Sequence, residues 1–103
     1  MLLIYVPCKN ESEAKKIGRV LVKEKLVCCA NVIPKMHSAF IWNGKLDETT
    51  EALLLMKTVK PYAKVKKKIE QLHSYSVPAI AALKIKINPK YEKWAKVVQK
   101  VGR

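Results

Sequence analysis

Glycine is scarce in this chain: three in 103 residues. None falls in the loop Pro7-Cys8-Lys9-Asn10-Glu11-Ser12, which also lacks arginine. A backbone cradle for phosphate needs both, so acyl-phosphate chemistry is excluded there. Aromatics are few, at 7%. The run Ala52-Leu53-Leu54-Leu55-Met56-Lys57 offers no ring on which a nucleobase could stack, which argues against an RNA-reading sheet. The cysteines (Cys8, Cys28, Cys29) are odd in number and show no C-x-x-C spacing. That excludes a paired-thiol metal-transfer loop and a disulfide framework, and points to reduced thiols in the cytoplasm. Long apolar runs are missing too. Residues 2–6 are too few for a secretory core or a membrane span and have no basic lead-in, so neither secretion nor membrane contact is expected. Acid is in short supply, with 8 Asp and Glu against 21 Lys and Arg, a net +13. Most of that excess lies after residue 56. Such a field attracts polyanions and repels cations.

What is present is hydrophobic: half of all residues, enough for one ordinary core, so residues 1–103 are read as a single domain. Two β-rich runs, residues 28–42 and 45–58, are joined at Trp42-Asn43-Gly44-Lys45. Asn-Gly between apolar runs predicts a type I′ hairpin, because both central residues of that turn need φ > 0. Each arm, if extended, spans about 45 Å. A globule of this length is only about 35 Å across. One end of the hairpin must overhang, and its apolar residues Ala39, Phe40, Ile41 and Trp42 need a partner, ordinarily further copies of the chain.

The remaining elements follow from spacing. Residues 2–6 read as a central strand buried on both faces. Asn10 with Glu13 makes a capping-box pattern that opens a helix with Ala14, Ile17 and Leu21 on its inner stripe. Pro34-Lys35 marks a bulge or bend in the first hairpin arm. Pro61 begins a second helix whose stripe is Tyr62, Val65, Ile69 and Leu72. Residues 77–87 predict a strand with Leu83, Ile85 and Ile87 covered and Lys84 and Lys86 wet. Asn88-Pro89 caps a third helix that buries Tyr91, Trp94, Val98 and Val101. The order β-α-β-β-α-β plus a terminal helix, with right-handed crossovers, is the ferredoxin-like α+β sandwich. No family-type spacing links the cysteines to His37 or His73 as nucleophile and base, and no enzymatic activity is expected.

Several runs together carry a resemblance. They are Cys29-Ala30-Asn31-Val32-Ile33-Pro34, Ser38-Ala39-Phe40-Ile41-Trp42-Asn43-Gly44-Lys45, Glu51-Ala52-Leu53-Leu54-Leu55-Met56-Lys57-Thr58, His73-Ser74-Tyr75-Ser76-Val77-Pro78-Ala79-Ile80 and Asn88-Pro89-Lys90-Tyr91-Glu92-Lys93-Trp94. In order and gaps, over essentially the whole chain, they resemble the CutA family of divalent-cation-tolerance proteins. The resemblance implies a ferredoxin-like protomer in a homotrimer, a cytoplasmic location, a link to tolerance of copper and other divalent cations, and no established enzymatic activity. It implies copper ligands from a cysteine ending the first strand, a histidine before the tyrosine motif and an acid after the Val-Pro pair. Here Val6 takes the first place with Cys8 two residues on, His73 keeps the second, Ser74 replaces the usual proline, and Ala79 stands where many members have glutamate. His73 and Cys8 are thus the candidate metal ligands, for copper or another divalent cation.

Two further expectations complete the reading. Phe40, Ile41 and Trp42 form the trimer interface. Lys57, Tyr75, Trp42 and Tyr91 line an intersubunit pocket for a small anion, beside His73. A lysine-rich surface for nucleic acid ranks behind both, because no base-reading motif accompanies the charge.

Overall fold

The computed structural model describes residues 1–100 as β1 (Leu2–Cys8), α1 (Glu11–Lys23), β2 (Cys29–Trp42), β3 (Lys45–Thr58), α2 (Tyr62–Leu72), β4 (Ala81–Lys84) and α3 (Pro89–Val98). The strands form one antiparallel sheet in the order β2-β3-β1-β4. α1 and α2 cover one face, as the ferredoxin-like α+β order requires. Alternation sets the core: Ile4, Val6 and Cys8 of β1 and Ala52, Leu54 and Met56 of β3 meet Ala14, Ile17, Leu21, Val65 and Ile69 from the helices. Each of the larger side chains contributes about 1.5–3 kcal/mol by leaving water. Gly18 lets α1 approach β2 closely, since a Cβ there would lie 3.0 Å from the Ala30 Cβ.

The hairpin turn has φ of 52° at Asn43 and 76° at Gly44, the type I′ geometry. The β2–β3 register slips between Ile33 and Met36, so Pro34-Lys35 is indeed the irregularity. β1 pairs with β3 only from Ala52 to Thr58. Beyond that point Met36–Trp42 and Lys45–Glu51 stand as a bare two-stranded ribbon. The ribbon stretches the molecule to 48 × 26 × 22 Å. Phe40, Ile41, Trp42 and Leu46 are all exposed on it.

The structure corrects four expectations. β1 is covered on its helical face alone, and Tyr5 on the other face is exposed. The last strand shrinks to Ala81–Lys84, all of it exposed, with Leu83 59% accessible. It is an edge strand that finds partners only along Leu2–Tyr5. Pro7 fits within β1 because β4 no longer flanks the strand at that point, so its missing N–H breaks no ladder bond there. In α3, Trp94 is 46% exposed and the buried position is Ala95, followed by Gln99, buried just past the helix end. Gln99 is drawn inward by hydrogen bonds: its Nε2 donates to Thr58 Oγ1 at 2.9 Å, and its Oε1 accepts from Val59 N–H at 2.9 Å. That docking swings Tyr91 over the end of β3. Val101, assigned to the same stripe, lies outside the described residues.

Candidate functional site

The polar residues of interest gather at two ends of the sheet and at the ribbon tip. At the Cys8 end of β1, donor atoms of Cys8, Glu13 and His73 all lie within 4.8 Å of one another. Three elements bring them there. Cys8 closes β1 on the helical face and is fully buried. Glu13 sits in the first turn of α1, held by the capping box: its N–H donates to Asn10 Oδ1 at 2.9 Å, and its Oε1 accepts from Lys9 N–H at 3.0 Å. His73 ends α2, donating its backbone N–H to the Ile69 carbonyl.

The site is tightly bonded. Glu13 Oε2 accepts from Ser74 N–H at 2.9 Å, which ties the segment after α2 to α1. His73 Nε2 faces the Pro7 carbonyl at 2.9 Å, and Nδ1 accepts from Tyr75 N–H at 3.1 Å. A carbonyl only accepts, so Nε2 carries the proton and the ring is the neutral tautomer. Tyr75 rests against the imidazole with centroids 4.7 Å apart, and its hydroxyl donates to Glu51 Oε2 at 2.7 Å.

Electrostatics at this end favour protons on the thiol and the phenol. Burial pushes Cys8 up from 9.0 to about 12, helped by the charges of Glu13 and Glu51. Tyr75 is raised by burial and then by its bond to Glu51. For Glu13, burial alone would raise the carboxyl; hydrogen bonds from Ser74 and Lys9 outweigh it and hold the group below its ordinary value.

By donor chemistry, a thiol, an imidazole and a carboxylate suit a borderline or soft cation such as copper or zinc. An ion taken up there must displace the Cys8 proton and one partner of His73. Ala79 has no carboxylate to offer, but Glu13, whose place in the sequence marks it only as a helix-capping residue, sets one beside Cys8 and His73. Glu51, buried at 8% exposure, was missed as well. Its place at the start of an apolar run was the one available signal.

The second gathering is at the other end of β3. Lys57 Nζ lies 3.5 Å from Cys29 Sγ, 3.3 Å from Asn31 Oδ1 and 5.6 Å from the centre of the Tyr91 ring. Lys57 and Tyr91 therefore meet. Tyr75 instead joins His73 and Cys8, five residues away along β3 (Cys8 pairs with Ala52) or about 17 Å. Trp42 is alone with Phe40 and Ile41 at the ribbon tip. Two shallow grooves of about 360 and 390 Å³ flank α1 and share no residue with either gathering.

Comparison with known proteins agrees with the fold and its motifs. The model of the CutA1 divalent ion tolerance protein family matches residues 2–98. The divalent-cation tolerance protein CutA of Thermus thermophilus is 40% identical over 96 residues, covering 91% of each chain. A Xenopus laevis CutA homolog is 42% identical over 92 residues; the match covers 87% of this chain but only 61% of that longer protein. CutA1 from Pyrococcus horikoshii superposes with a TM-score of 0.92 at 30% identity, over 98% of this chain and 100% of that one. The Archaeoglobus fulgidus protein, described as a periplasmic divalent cation tolerance protein, gives 0.91 at 29% identity, over 97% and 100%. With the family model spanning nearly the whole chain and the fold matching throughout, this protein belongs to the CutA1 divalent ion tolerance family.

Proposed function

We propose that this chain is a non-enzymatic, cytoplasmic homotrimer associated with divalent metal-ion tolerance, and that it takes up copper weakly through Cys8, Glu13 and His73. The observation that carries the metal assignment is the convergence of a sulfur, a nitrogen and an oxygen donor within 4.8 Å. The thiol and imidazole favour copper over hard ions such as magnesium. Affinity is held down by the bonds that must be broken first and by the lysine field. Each lysine about 10 Å from a divalent ion costs roughly 0.8 kcal/mol in bulk-water dielectric, before salt screening. A weak site suits a protein that meets excess metal and releases it again.

The trimer rests on the bare ribbon and on the face of the sheet turned away from α1 and α2, where Tyr5, Ile33 and Leu83 join Phe40, Ile41 and Trp42 as exposed apolar surface. Among the described residues of the protomer, both sheet edges, β2 and β4, are unpaired. Sister subunits answer all three needs at once. Sedimentation of the native chain at micromolar concentration is expected to give three copies, and Ile41→Asp with Trp42→Asp to dissociate them. A stable native monomer would refute the assembly.

Copper titration of reduced protein tests the site. His73→Ala and Glu13→Gln should each lower uptake; equal uptake by all three proteins removes the site from the function. A second reading, a small-anion sensor, is favoured by the Lys57 ammonium over Tyr91. Because Lys57 and Tyr75 lie apart within one protomer, that pocket needs a neighbouring subunit to close it. Calorimetry with phosphate or carboxylate metabolites that yields no heat would end this reading.

A further inference from the structure

Neither the metal site nor the Lys57 cluster uses the flank of α1. Two grooves of about 360 and 390 Å³ lie there and meet at Lys15 and Arg19, which line both. The apolar lining of the first comes from Gly18 and Val22 of α1 and from Ala30 and Val32 of β2, with Lys23 beside them. The second is polar, with Glu11 and Ser12 joining the two shared cations. α1 packs on β2 at Gly18 and Ala30, where a Cβ on the glycine would lie 3.0 Å from its neighbour. Neither residue is long enough to cover the seam, and Val22 above it is left exposed. Positions 15, 19 and 23 are spaced i, i+4, i+8, so their cations line one side of the helix. They are not equivalent. Lys15 is paired with Glu11, whereas Arg19 has no ion pair among the described residues. Of the 21 basic residues only Arg19 and Arg103 are arginine. The planar arginine fork holds a carboxylate through two parallel bonds, which a lysine ammonium cannot do.

We propose that this groove binds a small aliphatic acid, its carboxylate held by Arg19 and its unbranched tail laid over Val22, Ala30 and Val32. The lining carries no aromatic ring, so a nucleobase has nothing to stack on, while aliphatic side chains suit a flexible hydrocarbon. Glu11 neutralises Lys15 beside the head position, which leaves Arg19 as the free cation there and favours a singly charged head over a doubly charged phosphate. From Lys15 to Val22 is about 10 Å along the helix axis, close to the length of an extended octanoate chain. Lys23 lies at the far end, where its methylene stem can cover the tail while the ammonium stays in water. A volume near 360 Å³ sits at the lower end of the range for ligand sites, which suits a metabolite-sized amphiphile rather than a folded partner.

The test is calorimetric titration of the native protein with sodium octanoate below its micelle-forming concentration, beside butanoate and an oligoglutamate peptide. Octanoate is expected to saturate at one per chain. Affinity should rise about twofold for each methylene between butanoate and octanoate, the gain when an open groove covers half of each. Arg19→Gln should weaken octanoate about 10-fold, and Arg19→Lys should restore only part of the loss. Lys16→Gln removes the same charge from α1 outside both grooves and should change nothing. Val22→Ser should weaken octanoate more than butanoate, and octanoate-induced shifts in the amide NMR spectrum should fall on residues 18–23 and 30–32. Equal binding of butanoate and octanoate, or a glutamate peptide that binds as tightly, would show docking through charge alone and overturn the proposal. Equal losses in Arg19→Gln and Lys16→Gln would do the same. If Arg19→Gln alters the sedimentation of the ligand-free protein, the groove is a contact between copies of the chain and the proposal fails.

Discussion

Tyr75 donates its backbone N–H to His73 Nδ1 at 3.1 Å, and the two rings rest together at 4.7 Å with a 50° tilt. The opposite imidazole nitrogen holds the Pro7 carbonyl, 66 residues earlier in the chain. The histidine thus joins the end of the first strand to the segment after the second helix. A ligand entering at either nitrogen must undo one link of the fold, so binding and local structure are coupled at this residue.

His73→Ala removes both links without any metal present. At about 0.5–1.5 kcal/mol per hydrogen bond, the loss should total about 1–3 kcal/mol. Urea unfolding should show a lower midpoint with an unchanged slope. A midpoint equal to that of the native protein would mean the ring holds nothing together.

Cys8 sets an alkaline limit. Its native pKa is raised from 9.0 to about 12, first by burial and then by Glu13 and Glu51, so the unfolded chain releases this proton more readily than the folded one. Its contribution is fully present below about pH 9 and declines as pH rises towards 12. Thermal melts across that range should fall less steeply for Cys8→Ala than for the native chain. Cys8 should also resist alkylating reagents until the protein unfolds; rapid native-state labelling would contradict its burial.

Glu13 sets an acid limit with the opposite sign. Burial opposes its charge, but bonds from Ser74 and Lys9 prevail and its native pKa lies below 4.5. The stabilisation is present above the unfolded value and is lost as pH falls through the native one. Glu13→Gln should be less stable at neutral pH and show a flatter loss of stability on acidification. Parallel acid titrations of the two proteins would remove Glu13 from the account.

Gly18 poses a steric test. Alanine there gains about 1 kcal/mol of helix propensity. Its new methyl group, however, meets the Ala30 Cβ at 3.0 Å and Leu54 Cδ1 at 3.2 Å. Overpacking of this kind costs about 1–3 kcal/mol, and the Ala30 Cβ is fixed by the strand backbone. Net destabilisation is expected in denaturant melts, larger for Gly18→Val; a stabilised Gly18→Ala would show that α1 shifts freely over β2.

Much of the fold was legible in local signals. Asn43-Gly44 announced the turn, Pro34-Lys35 the irregularity, and the Asn10–Glu13 and Pro61 patterns the helix starts. Each depends on backbone preferences of a few consecutive residues. The third helix was less legible: a stripe of Tyr91 and Trp94 looked like the inner face, yet Ala95 and the C-capping Gln99 are the buried side chains. An amide reads as polar until its partners are known, and these partners, Thr58 and Val59, lie about 40 residues away.

Sequence alone determined the strand and helix order and the hairpin, because periodicity and turn chemistry are local properties. Only the tertiary structure decided that Glu13 stands beside His73, that Tyr75 joins them while Lys57 joins Cys29 and Tyr91, and that β4 is short and bare. Those outcomes depend on which distant segments the sheet and helix packing bring within hydrogen-bonding distance, and no spacing along the chain records that.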